Sequence, residues 1–572
     1  MKVSDFVAEY LESRGITSIF ELSGGMITHL LDSISQKTKI NIVSMHHEQS
    51  AAFAAEAYGR VTGLPGIAMA TSGPGATNLL TGIGSCYFDS SPAIFITGQV
   101  NRHELKGDRP IRQLGFQETD IISMAKPITK ACFQIQEPED IPTILQKAFD
   151  IALEGRPGPV LIDIPMDIQR AQIEVAFDPT LKKEPYNYPD NTLNDLVKDI
   201  HLAKRPLILV GRGVKASNTQ SHLDQFISKT QIPVITTLLG IDTISYENAL
   251  RVGFIGSYGN RWANIAFGEC DLLIVLGSRL DIRQTGADTS FIANRKIYHI
   301  DCEHGEINNR VKNCVPIIDE LQSFFNRFQK STIEIKFQKP INWVQYISDL
   351  RNKWPDIKEL EPDGINPNKF MHSLSKSSRA ATAYIADVGS HQMWAAQSLE
   401  LTNKQLFLTS GGMGAMGFAL PAGIGASIAN LKKPVVVIIG DGCMQLNIQE
   451  LQTIVRNKLP IKIVVMNNQS LGMIRQFQDS YFDSRYQSTF WGYSAPNFEK
   501  VAIAYEIAAK TITKTEEIED AVNWMWDDSN YNNPVLLQVM INPHTNTYPK
   551  IAFGKPITEM EPFSKPIEME ST

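Results

Sequence analysis

Two short apolar runs each end in residues able to hold a cation. Pro434–Ile439 leads into Gly440-Asp441-Gly442, and Ile461–Met466 leads into Asn467-Asn468. Between them, Met444–Lys458 has the pattern of a helix. Short β-branched runs of this kind form strands buried on both faces. A strand, a crossover helix and a parallel strand make a right-handed unit. Asp441 and Asn468 are therefore expected at the carboxyl ends of neighbouring strands, where open α/β sheets bind ligands. A carboxylate and an amide oxygen there suit Mg²⁺, which takes one or two protein oxygens and fills its octahedron with phosphate and water. The amino end of the crossover helix can receive a diphosphate. Either GDG or NN alone is an ordinary turn sequence. Their joint placement at two strand ends of one unit is what is specific.

A second candidate lies far upstream. Glu48, in MHHEQSAAFAAEAYGR, follows the strand-like run Ile40–Val43 and enters an alanine-rich helix. It reads either as a functional acid or as a carboxylate offsetting the helix dipole. His46, His47 and Glu48 make a poor metal set, because adjacent residues do not share a helix face and HExxH is absent. The glycines of Thr71–Val100 allow close backbone approach to a ligand, or simply a tight strand-to-helix turn. GMGAMG (Gly412–Gly417) fits the dinucleotide pattern GxGxxG, and Gly211-Arg212-Gly213 is a further short nucleotide signal; both are weak alone.

These residues need elements to hold them. The chain has 572 residues, 43% hydrophobic and 20% charged, which implies a globular protein of three to four domains. A net charge of −7 argues against nucleic acid or an anionic membrane as the main partner. Six scattered cysteines without CxxC spacing favour reduced thiols in a cytoplasm. The amino terminus reads as an acid-bearing amphipathic helix rather than a targeting peptide, and no apolar stretch reaches membrane-spanning length. Helix-like and strand-like stretches alternate throughout. The expected fold is α/β, with three doubly wound, mostly parallel-sheet domains at 1–170, 190–328 and 364–545. Polar linkers are expected at 171–189 and 329–363, and a surface tail at 546–572. The three blocks are expected to repeat one another.

The motifs, taken in order, resemble the acetolactate (acetohydroxyacid) synthases, a family of thiamine diphosphate (ThDP) enzymes. They are ELSGG (Glu21–Gly25), Thr71–Val100, LGFQETDI (Leu114–Ile121), GRPGPVLIDIP (Gly155–Pro165), DVGSHQMWAAQ (Asp387–Gln397), SGGMGAMGFALPA (Ser410–Ala422) and NNQSLGM (Asn467–Met473). The resemblance covers essentially the whole chain. It implies Glu48 as the partner of the cofactor's aminopyrimidine, with Gly25, Phe116 and Gln117 lining the catalytic side. It implies ThDP contacts from Pro74, Asn78, Val388, Gly389, His391, Gln392, Gly440, Gly442, Leu471, Gly472 and Met473. Gly414 would offer a backbone acceptor to the 4′-amino group, and Met416 would be the apolar wedge that bends the cofactor; core packing is the plain alternative for Met416. Asp441, Asn468 and the Ser470 carbonyl would hold Mg²⁺.

In the middle block the resemblance implies FAD, held by Arg212, Gly213, Gly256, Gly277, Arg279, Asp281, Arg283 and Asp301; Arg279 is alternatively a carboxylate binder for substrate. Flavin in this family is mostly structural. The implied reaction takes pyruvate as donor, releases CO₂, and passes the two-carbon unit to a second pyruvate to give 2-acetolactate. Two positions depart from the family. Phe477 stands where a tryptophan is usual, and Met166 where a lysine is usual, which enlarges the acceptor site. The alternative acceptor is another ketone, such as a nucleotide-linked keto-sugar. An FAD-linked pyruvate oxidase and a non-catalytic paralogue are the remaining contrasts. The implied assembly is a homodimer or homotetramer with shared active sites, open to a regulatory subunit.

Overall fold

The computed structural model describes residues 1–174, 191–292 and 295–567. Three six-stranded sheets carry the chain. The first holds β1 (Ser18–Leu22), β2 (Asn41–Ser44), β3 (Gly66–Ala70), β4 (Ala93–Gln99), β5 (Ala131–Gln134) and β6 (Pro159–Pro165) in the order β2-β1-β3-β4-β6-β5. The third holds β13 (Ala383–Ala386), β14 (Leu406–Leu408), β15 (Val435–Gly440), β16 (Ile461–Asn467), β17 (Ala508–Ile512) and β18 (Val535–Met540), in the matching order β14-β13-β15-β16-β18-β17. All pairs within both sheets are parallel.

The middle sheet is wound differently. It contains β7 (Pro206–Val210), β8 (Val234–Thr236), β9 (Arg251–Phe254), β10 (Leu272–Leu276), β11 (Lys296–Asp301) and β12 (Val315–Ile318), ordered β12-β11-β10-β7-β8-β9. Read from β9, that is the 3-2-1-4-5-6 order of dinucleotide-binding sheets, with its switch point between β7 and β10. All three blocks are thus parallel six-stranded α/β units, as expected, but only the outer two share a strand order.

Two further expectations are corrected. The stretch 329–363 is not a bare linker. It contains the helix Ile341–Lys353, whose Trp343, Ile347 and Leu350 are buried against the middle sheet. The tail is not a surface strand of chain either. β19 (Lys550–Ile551) pairs antiparallel with β20 (Met560–Glu561), and Ile551, Ile557 and Met560 sink into the middle domain's core. Lys550 bridges Glu561 at 3.0 Å, and Arg261 donates to the carbonyls of Met560 and Glu561. Of the first linker, residues 171–174 are described, with Gln172 bridging Lys2; the remainder falls outside the described residues.

One hydrophobic core spans the first and third sheets. At its centre, helix Glu48–Thr62 lies on helix Ala419–Ala429. Alanines at 51, 52, 54, 55 and 57 give the first helix a flat face. A β-carbon on Gly425 would run into the carbonyl oxygen of Ala54, so only glycine allows this approach. Phe53 and Phe418 meet edge to face at 5.4 Å beside it. Gly425→Ala is expected to cost about 1–3 kcal/mol of stability through overpacking, seen as a lower urea midpoint.

Candidate active site

The third sheet presents one half of a site at its switch point. β15 ends at Gly440, and a four-residue helical turn starts at Asp441 itself. The expected single crossover helix is broken: Asp441–Met444 and Glu450–Asn457 are separated by Gln445–Gln449. β15 and β16 pair as far as Gly440 with Met466, which sets Asp441 and Asn468 at neighbouring strand ends as anticipated. Asp441 is buried, and burial pushes its carboxyl up to about 7. Its Oδ2 accepts from the hydroxyl of Tyr493 at 3.2 Å. Asn468 Oδ1 accepts the Ser470 N–H at 3.2 Å, and Gln469 between them has φ of 52°, which turns the chain back at the strand end. The Ser390 and Ser470 hydroxyls are buried without a partner. A β-carbon on Gly472 would stand 3.0 Å from Ser390 Oγ and 2.7 Å from Asn468 Nδ2. A buried carboxylate, an amide oxygen at the next strand end and two unpartnered hydroxyls close by suit a cation and an anionic ligand.

Around these groups the supports are buried and specific. His391 Nε2 accepts the Gly440 N–H at 3.2 Å, and burial pulls the imidazole down to about 3, so the ring is neutral. β-Carbons on Gly389 or Gly440 would each stand 2.8 Å from its Cε1; the ring locks the two strand-end turns together. Gln392 donates to Thr409 Oγ1 at 2.6 Å and to the Ser410 carbonyl at 3.2 Å. The Cys443 thiol donates to the Val388 carbonyl at 3.0 Å. Asp387, pushed up to about 6 by burial, accepts backbone N–H groups from Val388, Gly417 and Ala419 at 2.8, 3.0 and 2.7 Å. Gly414 has φ of 64°, and half-buried Met416 reaches toward Gly442, where a β-carbon would be 3.5 Å from its Cε and 2.7 Å from Leu471 Cδ2. Met473 packs on the third domain's core.

The first sheet presents the other half. Glu48 opens its helix, capped by His47, whose Nδ1 accepts the Gln49 N–H at 3.0 Å. Glu48 is buried and its Oε2 accepts from Asn78 Nδ2 at 2.9 Å. Pro74 begins the short helix that carries Asn78. Gln117 sits at φ of 66°, and its Cβ would be 3.1 Å from a β-carbon on Gly73. Phe116 is 79% exposed, and Gly25 faces open space. Among the described residues no hydrogen bond or ion pair joins Glu48 to Gly414, Met416 or Asp441 within one chain. The two halves meet through Asn447, which accepts from Ser50 at 3.0 Å and donates to the Gly417 carbonyl at 2.8 Å.

A cavity of about 710 Å³ opens at the middle sheet's switch point. Arg212, Gly213, Gly277, Arg279, Asp281, Arg283 and Asp301 line it. Gly256 lies just behind, against the Arg283 carbonyl, with φ of 118°. Burial pulls the Arg212 guanidinium down to about 9; its Nε donates to the Asp89 carbonyl at 2.5 Å. Arg279 pairs with Asp281 at 2.9 Å and faces this cavity. Phe477 stands half-exposed on helix Gly472–Tyr481, its ring 4.7 Å from that of Tyr481, and Met166 begins a short helix after β6. Four site residues were not singled out from the sequence, Tyr493, Arg60, Arg156 and Asp89, although the last three lie within the quoted motifs. Arg60, Arg156 and Asp89 line the cavity, and each site contact of the four spans a long stretch of chain.

The family models follow this architecture. "Thiamine pyrophosphate enzyme, N-terminal TPP binding domain" matches residues 1–124, the "central domain" matches 193–328, and the "C-terminal TPP binding domain" matches 387–539. The chain belongs to the thiamine pyrophosphate enzyme family. Within it, the chain is 35% identical over 562 residues to the acetolactate synthase large subunit of Lactococcus lactis subsp. lactis (strain IL1403), covering 97% of this chain and 95% of that one. It is 35% identical over 563 residues to the acetolactate synthase isozyme 2 large subunit of Escherichia coli (strain K12), covering 98% and 99%. It is 36% identical over 569 residues to acetolactate synthase 3, chloroplastic, of Brassica napus, covering 97% and 85%.

Gly440→Ala is expected to drive a methyl group into the His391 ring and part the two turns. Thiamine diphosphate binding, followed by tryptophan fluorescence, should weaken by at least roughly tenfold, while the far-ultraviolet circular dichroism stays native.

Proposed function

We propose that the protein is a ThDP-dependent carboligase that decarboxylates pyruvate and passes the two-carbon unit to a second pyruvate, giving 2-acetolactate. The observation that carries this is the pair of half-sites in one chain. A buried glutamate is oriented by Asn78, and a buried aspartate–asparagine pair stands at neighbouring strand ends. Thiamine diphosphate, when bound, supplies an acidic ring carbon that adds to the keto group and takes up the electrons released with CO₂.

The chain's own residues do the rest. Asp441, Asn468 and the Ser470 carbonyl would hold Mg²⁺, and the cation would offset the cost of the buried Asp441 carboxylate. The unpartnered Ser390 and Ser470 hydroxyls would be free to donate to diphosphate oxygens. Glu48 holds or returns a proton at the pyrimidine ring, and Asn78 fixes its carboxylate plane. Met416 and Leu471, which converge beside Gly442, would exclude water from the ring, and the Gly414 carbonyl would be the acceptor for its amino group.

The central cavity takes FAD. Its volume, its switch-point position and the cations Arg212, Arg279, Arg283, Arg156 and Arg60 suit a flavin dinucleotide with its diphosphate. The active site is completed by a second copy in a homodimer or homotetramer. Phe116, Met124, Met413 and Leu446 are exposed around the half-sites and support that reading. No helix among the described residues is long and apolar enough to cross a membrane. A cytoplasmic location accords with six unpaired cysteines.

Product analysis with labelled pyruvate tests the reaction. 2-Acetolactate is expected from pyruvate alone. Slow acetolactate formation beside rapid transfer to an added nucleotide-linked keto-sugar would replace the acceptor, as the smaller Phe477 and uncharged Met166 permit. Stoichiometric flavin reduction by pyruvate would replace the carboligase with an oxidase. Glu48→Gln should lower pyruvate consumption by roughly 10²–10⁴-fold, the range for loss of a positioned proton carrier, with ThDP still bound. Chelation of Mg²⁺ with EDTA should release ThDP into a desalted filtrate, and added Mg²⁺ should restore its binding.

A further inference from the structure

The loop Ser410–Gly417, which carries Gly414 and Met416, is held at both ends by buried carboxylates from different domains. At its far end, Asp387 of the third domain takes the N–H groups of Gly417 and Ala419. At its near end, Asp89 of the first domain takes the N–H of Gly411 on Oδ2 at 2.8 Å and that of Gly412 on Oδ1 at 2.6 Å. Asp89 is 1% exposed. The same residue faces the central cavity through its main chain. Its carbonyl accepts Arg212 Nε at 2.5 Å, and the next carbonyl, Ser90, accepts that guanidinium at 3.4 Å.

Arg60 adds a second link. Its side chain is fully buried, it lies 3.9 Å from Asp89 Oδ2, and it donates to the Thr409 carbonyl, at the root of the loop, at 2.8 Å. Its Nε and Nη2 have no partner, yet it lines the cavity. Buried donors without acceptors are rare, and here they border a cavity whose lining carries Arg212, Arg279 and Arg283 as well as carboxylates. Gly411 and Gly412 line that hollow as well.

We propose that Asp89 is a positioning residue through which the occupant of the central cavity fixes the Ser410–Gly417 loop, so that flavin and ThDP bind cooperatively. This rests on the flavin reading of the cavity. An anionic dinucleotide against Arg212 and Arg60 immobilises the main chain at Asp89–Ser90. The Asp89 carboxylate passes that constraint to Gly411 and Gly412. ThDP then meets a loop already ordered, and its own binding orders the same loop for flavin. The effect is reciprocal by thermodynamic necessity.

Titrations on the cofactor-free oligomer test this. ThDP with Mg²⁺ is followed by tryptophan fluorescence, with and without saturating FAD; FAD is followed by flavin fluorescence, with and without ThDP. Each cofactor should tighten the other by the same factor, about tenfold within the 5–150-fold usual for coupled sites. Asp89→Asn keeps the size but turns an amide toward a backbone donor. Each cofactor should still bind it alone, and the factor should fall to about one. Gly412→Ala, whose methyl group would meet Phe88 Cβ at 2.7 Å, breaks the link from the loop side and should lose the factor too. A purely structural role would weaken both affinities and leave the factor intact. Wild-type protein that binds FAD with a factor of one, or variants that keep the wild-type factor, would overturn the coupling alone. Wild-type protein that binds no FAD would overturn the flavin reading and the coupling with it.

Discussion

Helix Glu48–Thr62 lies so close to helix Ala419–Ala429 that Gly425 has room for a hydrogen and nothing more against Ala54. Each helix starts at a chemical feature. The first opens on Glu48; the second opens just past the loop that ends in Met416-Gly417. Fixing the helices side by side therefore fixes both features relative to one shared core. Asn447 completes the register by reaching both Ser50 and Gly417. It does so from the break in the crossover helix, and that break is what frees it. The cost of an interrupted helix is offset by a buried amide that is hydrogen-bonded to both domains.

The three sheets divide the work by winding. The outer two share an order and reverse direction at β1/β3 and β13/β15, beside the strand ends that carry Gly25, Asn78, Gly389 and Asp441. The middle sheet reverses direction between β7 and β10, and its crevice collects arginines instead. Burial acts oppositely on the two sites. It raises the Asp441 carboxyl and lowers the Arg212 guanidinium, so each site holds a charge that burial disfavours.

Central strands were legible in the sequence, and edge strands mostly were not. The central strands β15 and β16 stand where the apolar runs Pro434–Ile439 and Ile461–Met466 placed them. β5, β9, β12, β14 and β17 went unseen, and every one lies at a sheet edge. An edge strand is covered on fewer sides, so its composition is mixed: Ala508–Ile512 alternates exposed and half-buried residues before its last. The same logic governs the site. Turn glycines and strand-end acids are written locally, so spacing placed Asp441 and Asn468 at neighbouring strand ends, while Glu48 gained its role only from the family resemblance. Asp89 serves Gly411 across more than three hundred residues, and Tyr493 reaches Asp441 from a polar loop. Nothing local marks such residues. The tail failed for a related reason. Its few apolar side chains are too sparse to announce a strand pair, yet Ile551, Ile557 and Met560 are all buried.

That returning tail bears on how the molecule is made. The middle domain is synthesised second of three, but part of its core is supplied by residues 551–560. While the ribosome is still completing the third domain, the middle domain must wait with that apolar face uncovered. Domains that fold as they emerge usually do so from the amino end. Here the order of synthesis and the order of closure differ, because residues 551–560, made after the third domain's last strand, complete the middle domain's core.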